Sequence, residues 1–145
     1  MKKIFKTSIL LVLTLFVLTS CSKQKKFERN FTGKWDIDAV QFFGEDTDLK
    51  GTFTFTKKRS DVVPTYTVSG ELYEGKIEYD NGTEIDFTYE YFDILSHEDV
   101  AVVLHGADGS GYKNLITEML TKKVWIFYFI DQYGYVISEK YYLSK

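Results

Sequence analysis

The chain has 145 residues, of which 44% are hydrophobic and 17% aromatic, and it carries 18 Lys and Arg against 21 Asp and Glu. This length fits one ordinary domain with a core of useful size. The acidic balance argues against nucleic acid as a partner. The single cysteine excludes an internal disulfide and a thiolate metal cluster.

The first twenty residues have the pattern of a secretory signal. Lys2, Lys3 and Lys6 precede an apolar run of eleven residues, Thr7–Val17, and small residues follow before Cys21. The run is too short to remain as a spanning helix, which needs roughly 20 apolar residues. Cleavage after residue 20 would leave 125 residues with 15 basic and 21 acidic side chains, a net charge of −6.

The end of this segment, Leu18-Thr19-Ser20-Cys21, resembles the lipobox of bacterial lipoproteins. The resemblance implies that Cys21 carries acyl chains such as palmitate and anchors the mature chain in a membrane. A serine at position 22 implies the outer membrane of a double-membraned cell, or the outer surface of a single-membraned one. Residues 21–30 are then expected to form a basic, extended tether facing anionic headgroups. The alternative is a plain signal peptide that happens to end near a cysteine.

From Phe31 onward the sequence predicts strands, because apolar and polar residues alternate and no stretch of twelve residues has apolar residues at the 3.6-residue period of a helix. A charged turn is predicted at Lys57–Asp61. The segment Thr65–Asp80 is predicted as one bent strand or two short ones, since Gly70 and Gly75 interrupt it. The other predicted strands are 34–43, 52–56, 100–105, 114–120 (where a helix is the alternative), 124–130 (a central strand covered on both faces) and 135–143.

Asn81-Gly82 marks a hairpin whose loop length follows from the faces of its strands. A two-residue loop would place Ile77 opposite Asp86, mixing apolar and charged residues. A three-residue loop at residues 80–82, with Gly82 in the left-handed region, places Ile77 opposite Ile85. Phe87, Tyr89 and Tyr91 then continue the apolar face. The opposite face is predicted to be solvated, with Lys76, Glu78, Glu84, Asp86, Thr88 and Glu90.

About eight or nine sequential strands without interposed helices predict an all-β antiparallel meander that closes into a barrel or folds into a sandwich. Residues 32–35, Thr-Gly-Lys-Trp, resemble the Gly-x-Trp start of lipocalins. Residues 131–134 with 142–145 resemble the ending of lipocalin-like bacterial lipoproteins. The resemblance implies a lipocalin-like barrel over residues 31–145.

Many lipocalins also pack an arginine of a late strand across the tryptophan of the first strand. Arg29 and Arg59 are the only arginines of this chain, and neither falls on a late strand. Lys140 or Lys145 is therefore expected to take that place beside Trp35.

Catalytic and metal-binding patterns are weak. His97 and His105 have no cysteine or second histidine at ligand spacing, and each is predicted to be a loop or strand-end residue. Gly109-Ser110-Gly111 lacks the spacing of a nucleophile elbow and is predicted to be a turn. Asp108 with Ser110 lacks a further acidic ligand for calcium. The sequence thus predicts no enzyme, no metal and no cofactor.

Large aromatic residues are candidates for the barrel interior: Trp35, Phe53, Phe55, Phe87, Tyr89, Trp125, Phe127 and Phe129. If they fill it, only a reduced cavity near one mouth is expected. Glu139 lies on the apolar face of the last strand, where it could orient a ligand, or be exposed by a bulge or by a position at the barrel mouth. We therefore predict a non-catalytic, membrane-anchored domain that binds a small apolar ligand, or alternatively an interaction module that contacts an envelope protein. The candidate ligand-binding residues are Trp35, Phe87, Tyr89, Phe127 and Glu139.

Overall fold

The computed structural model describes residues 25–93, 100–130 and 135–145. Cys21, His97 and the expected turn at residues 131–134 lie outside this part of the chain. One short helix and nine strands make up the regular structure of the described residues. They are α1 (residues 25–31), β1 (Gly33–Phe42), β2 (Glu45–Asp46), β3 (Gly51–Arg59), β4 (Tyr73–Tyr79), β5 (Glu84–Asp93), β6 (Val100–Gly106), β7 (Lys113–Leu120), β8 (Val124–Ile130) and β9 (Val136–Ser144).

The strands form a closed antiparallel barrel. From β3 to β9 each strand pairs with the next one along the chain, and β1 pairs with β3 on one side and with β9 on the other. β2 extends only the end of β1 as a short hairpin. The barrel proper therefore has eight strands, and closure leaves it without a free sheet edge. The predicted all-β antiparallel meander that closes into a barrel is confirmed.

The β4–β5 hairpin has the predicted three-residue loop. Ile77 pairs with Ile85, and the amide of Tyr79 donates to the carbonyl of Thr83 over 2.9 Å. The amide of Gly82 donates back to the carbonyl of Tyr79, also over 2.9 Å, and Gly82 has a φ of +86°. These contacts define a type I turn followed by a left-handed residue, which is a favoured three-residue hairpin loop.

Three expectations about strands were wrong. The predicted charged turn at Lys57–Asp61 begins too early, because β3 continues to Arg59. Residues 60–72 are an irregular loop and only Tyr73 starts β4, so the predicted strand at Thr65–Asp80 is confined to its second half. β8 was expected to be covered on both faces, but only alternate residues are buried. In an antiparallel barrel the outer face needs no covering layer, which explains the difference.

Helix α1 was not expected, since residues 21–30 were predicted to be extended. Its aromatic residues close the barrel end at which β1 begins. Phe31 is fully buried, and its ring lies 5.6 Å from those of Phe55 and Tyr89 and 5.8 Å from that of Trp125. Phe27 packs against this group from the preceding turn. The short helix is therefore held by tertiary packing, as helices of this length must be.

No helix within the described ranges is long and apolar enough to cross a membrane.

The left-handed turn residue gives a test of the hairpin. Gly82→Val should destabilise the domain by about 1 to 2 kcal/mol, because a branched β-carbon is strained at positive φ. Asn81→Ala is the control, since it removes only the 2.9 Å side-chain hydrogen bond to the amide of Thr83. Urea unfolding followed by tryptophan fluorescence measures both. Equal unfolding midpoints for the two variants would contradict the assigned strain.

Candidate functional site

The interior of the barrel is filled by aromatic rings. All eight aromatic residues predicted to point inward are buried in one cluster. Phe53 is at its centre, with the ring centroids of Phe55, Phe127 and Tyr141 at 5.7, 5.8 and 5.4 Å. Centroid distances of about 4.5–7 Å are those of rings in direct contact. In a barrel of eight strands such rings are enough to occupy the interior.

The predicted ligand-binding aromatics belong to this cluster. Trp35 contacts Trp125 at 5.6 Å, and Trp125 contacts Phe127 at 4.8 Å. Phe87 and Tyr89 lie 6.4 Å apart and both contact Phe55. The structure thus brings the four aromatic residues into one cluster, in which Trp125 and Phe55 connect them. Their contacts with other rings leave little of their surface for a ligand.

Gly75 on β4 shows how tight the interior is. A β-carbon at this position would lie 2.3 Å from two carbons of the Phe87 ring. Any side chain larger than hydrogen would force that ring out of its place in the cluster. Glycine at this position therefore follows from the close approach of an aromatic ring to the backbone of the barrel wall.

Glu139, the predicted polar ligand contact, is half-buried beside an irregularity of β9, where the register with β8 shifts after Ile137. The Tyr141 hydroxyl donates to its carboxylate over 3.2 Å. Burial, aided by contacts with Tyr79 and Glu139, raises the pKa of Tyr141 far above its usual value. Of the two alternatives, exposure by a bulge accounts for Glu139, and the carboxylate is satisfied by a tyrosine at the margin of the cluster.

Lys145 takes the place in which the lipocalin resemblance implies an arginine. Its ammonium lies 4.2 Å from the centroid of the Trp35 ring and donates to the carbonyls of Asn30 and Thr32 over 2.8 Å each. Burial lowers the pKa of Lys145. A cation over the indole face is favourable, and the two carbonyls connect the end of β9 to the start of β1. Lys140, the other candidate, pairs instead with Glu118 at 2.5 Å.

A cluster of buried polar residues lies outside the barrel wall, where the sequence predicted a solvated face. That prediction was wrong for Thr88 and Glu90, which point away from the interior but are 3% and 0% exposed. The Thr88 hydroxyl donates to the carbonyl of Gly106 over 3.2 Å, and Glu90 is covered by the loop of residues 60–72. Its ends meet, because the amide of Ser60 donates to the carbonyl of Leu72 over 2.8 Å. A loop of this length with joined ends is an Ω-loop, and it is called the Ω-loop below.

Glu90 holds the centre of the Ω-loop. One of its carboxylate oxygens accepts from the Thr67 hydroxyl at 2.8 Å and from the amides of Val68 and Ser69 at 3.0 and 2.7 Å. The other accepts from Val68 at 3.2 Å and lies 3.1 Å from Nε2 of His105. Burial raises the pKa of Glu90, but the hydrogen bonds outweigh it and leave this pKa below its ordinary value.

His105 completes the buried pair. Its Nδ1 lies 3.1 Å from the carbonyl oxygen of Gly111, and its Nε2 lies 3.1 Å from the Glu90 carboxylate. Both neighbours are acceptors, so the imidazole ring links the Gly111 carbonyl to the Glu90 carboxylate. Both side chains of this Glu90–His105 pair are fully buried.

The sequence predicted His105 as a loop or strand-end residue and Glu90 on an outward face, but it did not predict that the two form a pair. The missing information was the path of residues 60–72, which were interpreted as the end of a charged turn and, from Thr65 onward, as strand. The usable signal is register: Thr88 pairs with His105 across β5 and β6, so Glu90 lies one diagonal step from the histidine on the same face. An acid and a histidine so placed can interact across strands.

The buried pair should make the stability of the domain depend on acid pH. Because the pKa of Glu90 is lowered by folding, its contribution to the free energy of unfolding is present above about pH 4.5 and is lost as the pH falls through the folded pKa. Glu90→Gln should remove this dependence and cost about 2 kcal/mol at pH 7. Unfolding in urea at pH 4 and pH 7 measures both effects.

The matched control is Glu84→Gln, since Glu84 is an exposed carboxylate of the same strand. If the stability of Glu90→Gln still depends on acid pH as in the wild type, the dependence arises from other groups.

No protein-family model, curated protein or solved structure matches this chain.

Proposed function

We propose that this protein is a membrane-anchored, non-catalytic lipocalin-like domain that acts as an interaction module of the cell envelope, with its barrel filled by its own side chains. The observation that carries the proposal is the continuous aromatic cluster from Phe31 in α1 to Phe129 in β8. Because these rings occupy the interior, the outer surface and the loops are the parts available to a partner.

The anchor is supported by the sequence before α1. The described part of the chain starts within α1 at residue 25, four positions after Cys21. At about 3.5 Å per residue, an acylated Cys21 would hold the α1 end of the barrel within about 14 Å of the bilayer surface. Lys25, Lys26 and Arg29 are exposed or partly exposed on this helix, where they suit anionic headgroups. The outer membrane is the location that Ser22 favours in a double-membraned host.

Membrane attachment should depend on Cys21. Acyl chains contribute about 0.8 kcal/mol per buried methylene, so two or three chains anchor firmly. Cys21→Ala should abolish incorporation of a labelled palmitate analogue and block cleavage of the first twenty residues. Ser20→Ala is the matched control, since it keeps a small residue before the cysteine. A wild-type protein that is fully processed, soluble and unlabelled would refute the anchor.

A small apolar ligand inside the barrel is the competing function, and a binding test separates the two. Wild-type protein should show no saturable change in tryptophan fluorescence with toluene or octanoate. Phe53→Ala should gain saturable toluene binding, because it opens an apolar cavity beside Phe55, Phe127 and Tyr141. The variant should lose about 3 to 5 kcal/mol of stability.

The control for this experiment is Phe43→Ala, which removes a ring that is 77% exposed on the β1–β2 hairpin. It should leave binding unchanged. Saturable binding of either probe to the wild-type protein, lost on Gly75→Ala, would favour the ligand-binding function instead.

A further inference from the structure

The Ω-loop presents apolar side chains to solvent. Val63, Tyr66 and Val68 are 87%, 57% and 52% exposed. The ring of Tyr66 lies 5.6 Å from that of Tyr112, which follows the β6–β7 turn. A loop that exposes valine and tyrosine while its serine and threonine side chains make local hydrogen bonds has the composition of a protein-binding loop, in which tyrosine supplies contact area at low entropic cost.

Hydrogen bonds and close packing hold the Ω-loop against the outer face of the barrel. Glu90 holds residues 67–69, as described above, and the amide of Thr65 donates to the carbonyl of Gly109 over 3.3 Å. At Gly109 a β-carbon would lie 2.7 Å from the Val62 side chain and 3.0 Å from the backbone of Pro64, so the loop lies directly on the β6–β7 turn. Its exposed residues are thus presented in one conformation.

The Glu90–His105 pair is better explained by this conformation than by stability. Burying the Glu90 carboxylate with its histidine partner requires their desolvation, and replacing such a buried pair by apolar residues of similar volume is often neutral or stabilising. What the carboxylate provides here is a set of acceptors for the backbone of residues 67–69, directly beneath Tyr66 and Val68. A preformed loop binds more tightly than one that must be ordered on binding.

An acidic groove of about 540 Å³ adjoins the Ω-loop, with Ser60 and Val62 in one wall. The strands contribute three carboxylates, Glu74, Glu78 and Asp86, but only one cation, Lys76. Two ion pairs reach outside the groove, Lys58 with Glu74 at 2.8 Å and Lys76 with Glu84 at 2.7 Å, and they leave the excess of negative charge unchanged.

We infer that the Ω-loop and the adjoining groove form the recognition surface for a partner protein whose contact segment alternates apolar side chains with lysine or arginine. The apolar side chains contact Val63, Tyr66 and Val68, and the cations lie in the groove. This inference rests on the proposed interaction role. Charge selects this partner over the other candidates, because an anionic membrane and a second copy of this acidic surface would both be repelled.

The test uses the full chain in nanodiscs of zwitterionic phosphatidylcholine and a synthetic peptide of alternating lysine and valine. Hydrogen exchange read by mass spectrometry should show protection of residues 60–72, and raising the salt from 50 to 300 mM should weaken binding several-fold. Val63→Ser with Tyr66→Ser should reduce the affinity at least tenfold. Met119→Ser, which alters a residue 49% exposed on β7, is the matched control and should change it less than twofold.

Glu90→Gln leaves the exposed residues in place but loosens the loop, so it should weaken binding of the same peptide about fivefold and abolish the exchange protection of residues 67–69 in the free protein. The inference is overturned if an alternating glutamate–valine peptide binds equally well. It is overturned too if the peptide protects residues outside the Ω-loop from exchange and this protection is unchanged in the loop variants. It is also overturned if the loop variants abolish only binding to anionic vesicles or only self-association. Saturable binding of apolar probes inside the wild-type barrel would instead refute the interaction role itself.

Discussion

Aromatic packing inside a closed sheet is the interaction on which this structure depends. Phe31 from α1 touches rings from three different strands, so a residue before the barrel joins strands that are far apart in the chain. The same contacts decide what the barrel can do. A ring that fills space between strands stabilises the fold by removing apolar surface from water, and the volume it fills is not open to a ligand. Stability and the filling of the barrel interior by these rings therefore have a common cause.

On the outside, one buried Glu90–His105 pair organises a segment that has no regular structure. Glu90 supplies hydrogen-bond acceptors that a strand neighbour would otherwise supply, and His105 contacts one of its carboxylate oxygens. The outer wall consequently differs around its circumference: most of it is an ordinary solvated strand face, but the part under residues 60–72 is a second, polar core. That asymmetry gives the barrel one distinctive side.

The fold was predictable because alternation is a local property of each strand. The register of the hairpin at Gly82 followed from the faces of two neighbouring strands. The eight inward aromatic residues followed from the same alternation of inward and outward positions. Three features were not predictable in this way. Helix α1 depends on tertiary contacts, chiefly the packing of Phe27 and Phe31 on a finished barrel, Glu90 is buried because a distant loop covers it, and the described residues place no second layer outside β8. Each depends on tertiary contacts that the pattern of a single segment does not contain.

The closure of the barrel has a consequence for how the chain folds. Seven of its eight strand pairings join neighbours along the chain, but the eighth joins β1 to β9, the last strand to be made. Across this pairing the Tyr142 hydroxyl donates to the Gln41 side chain, 101 residues away in the sequence. Contacts of such separation are slow to form, since a long loop must first be closed. Until the last strand arrives, the second half of β1 exposes unpaired backbone groups that can pair with another chain. The charged residues Asp36 and Asp38 on that strand, both pointing to solvent, are well placed to discourage such pairing.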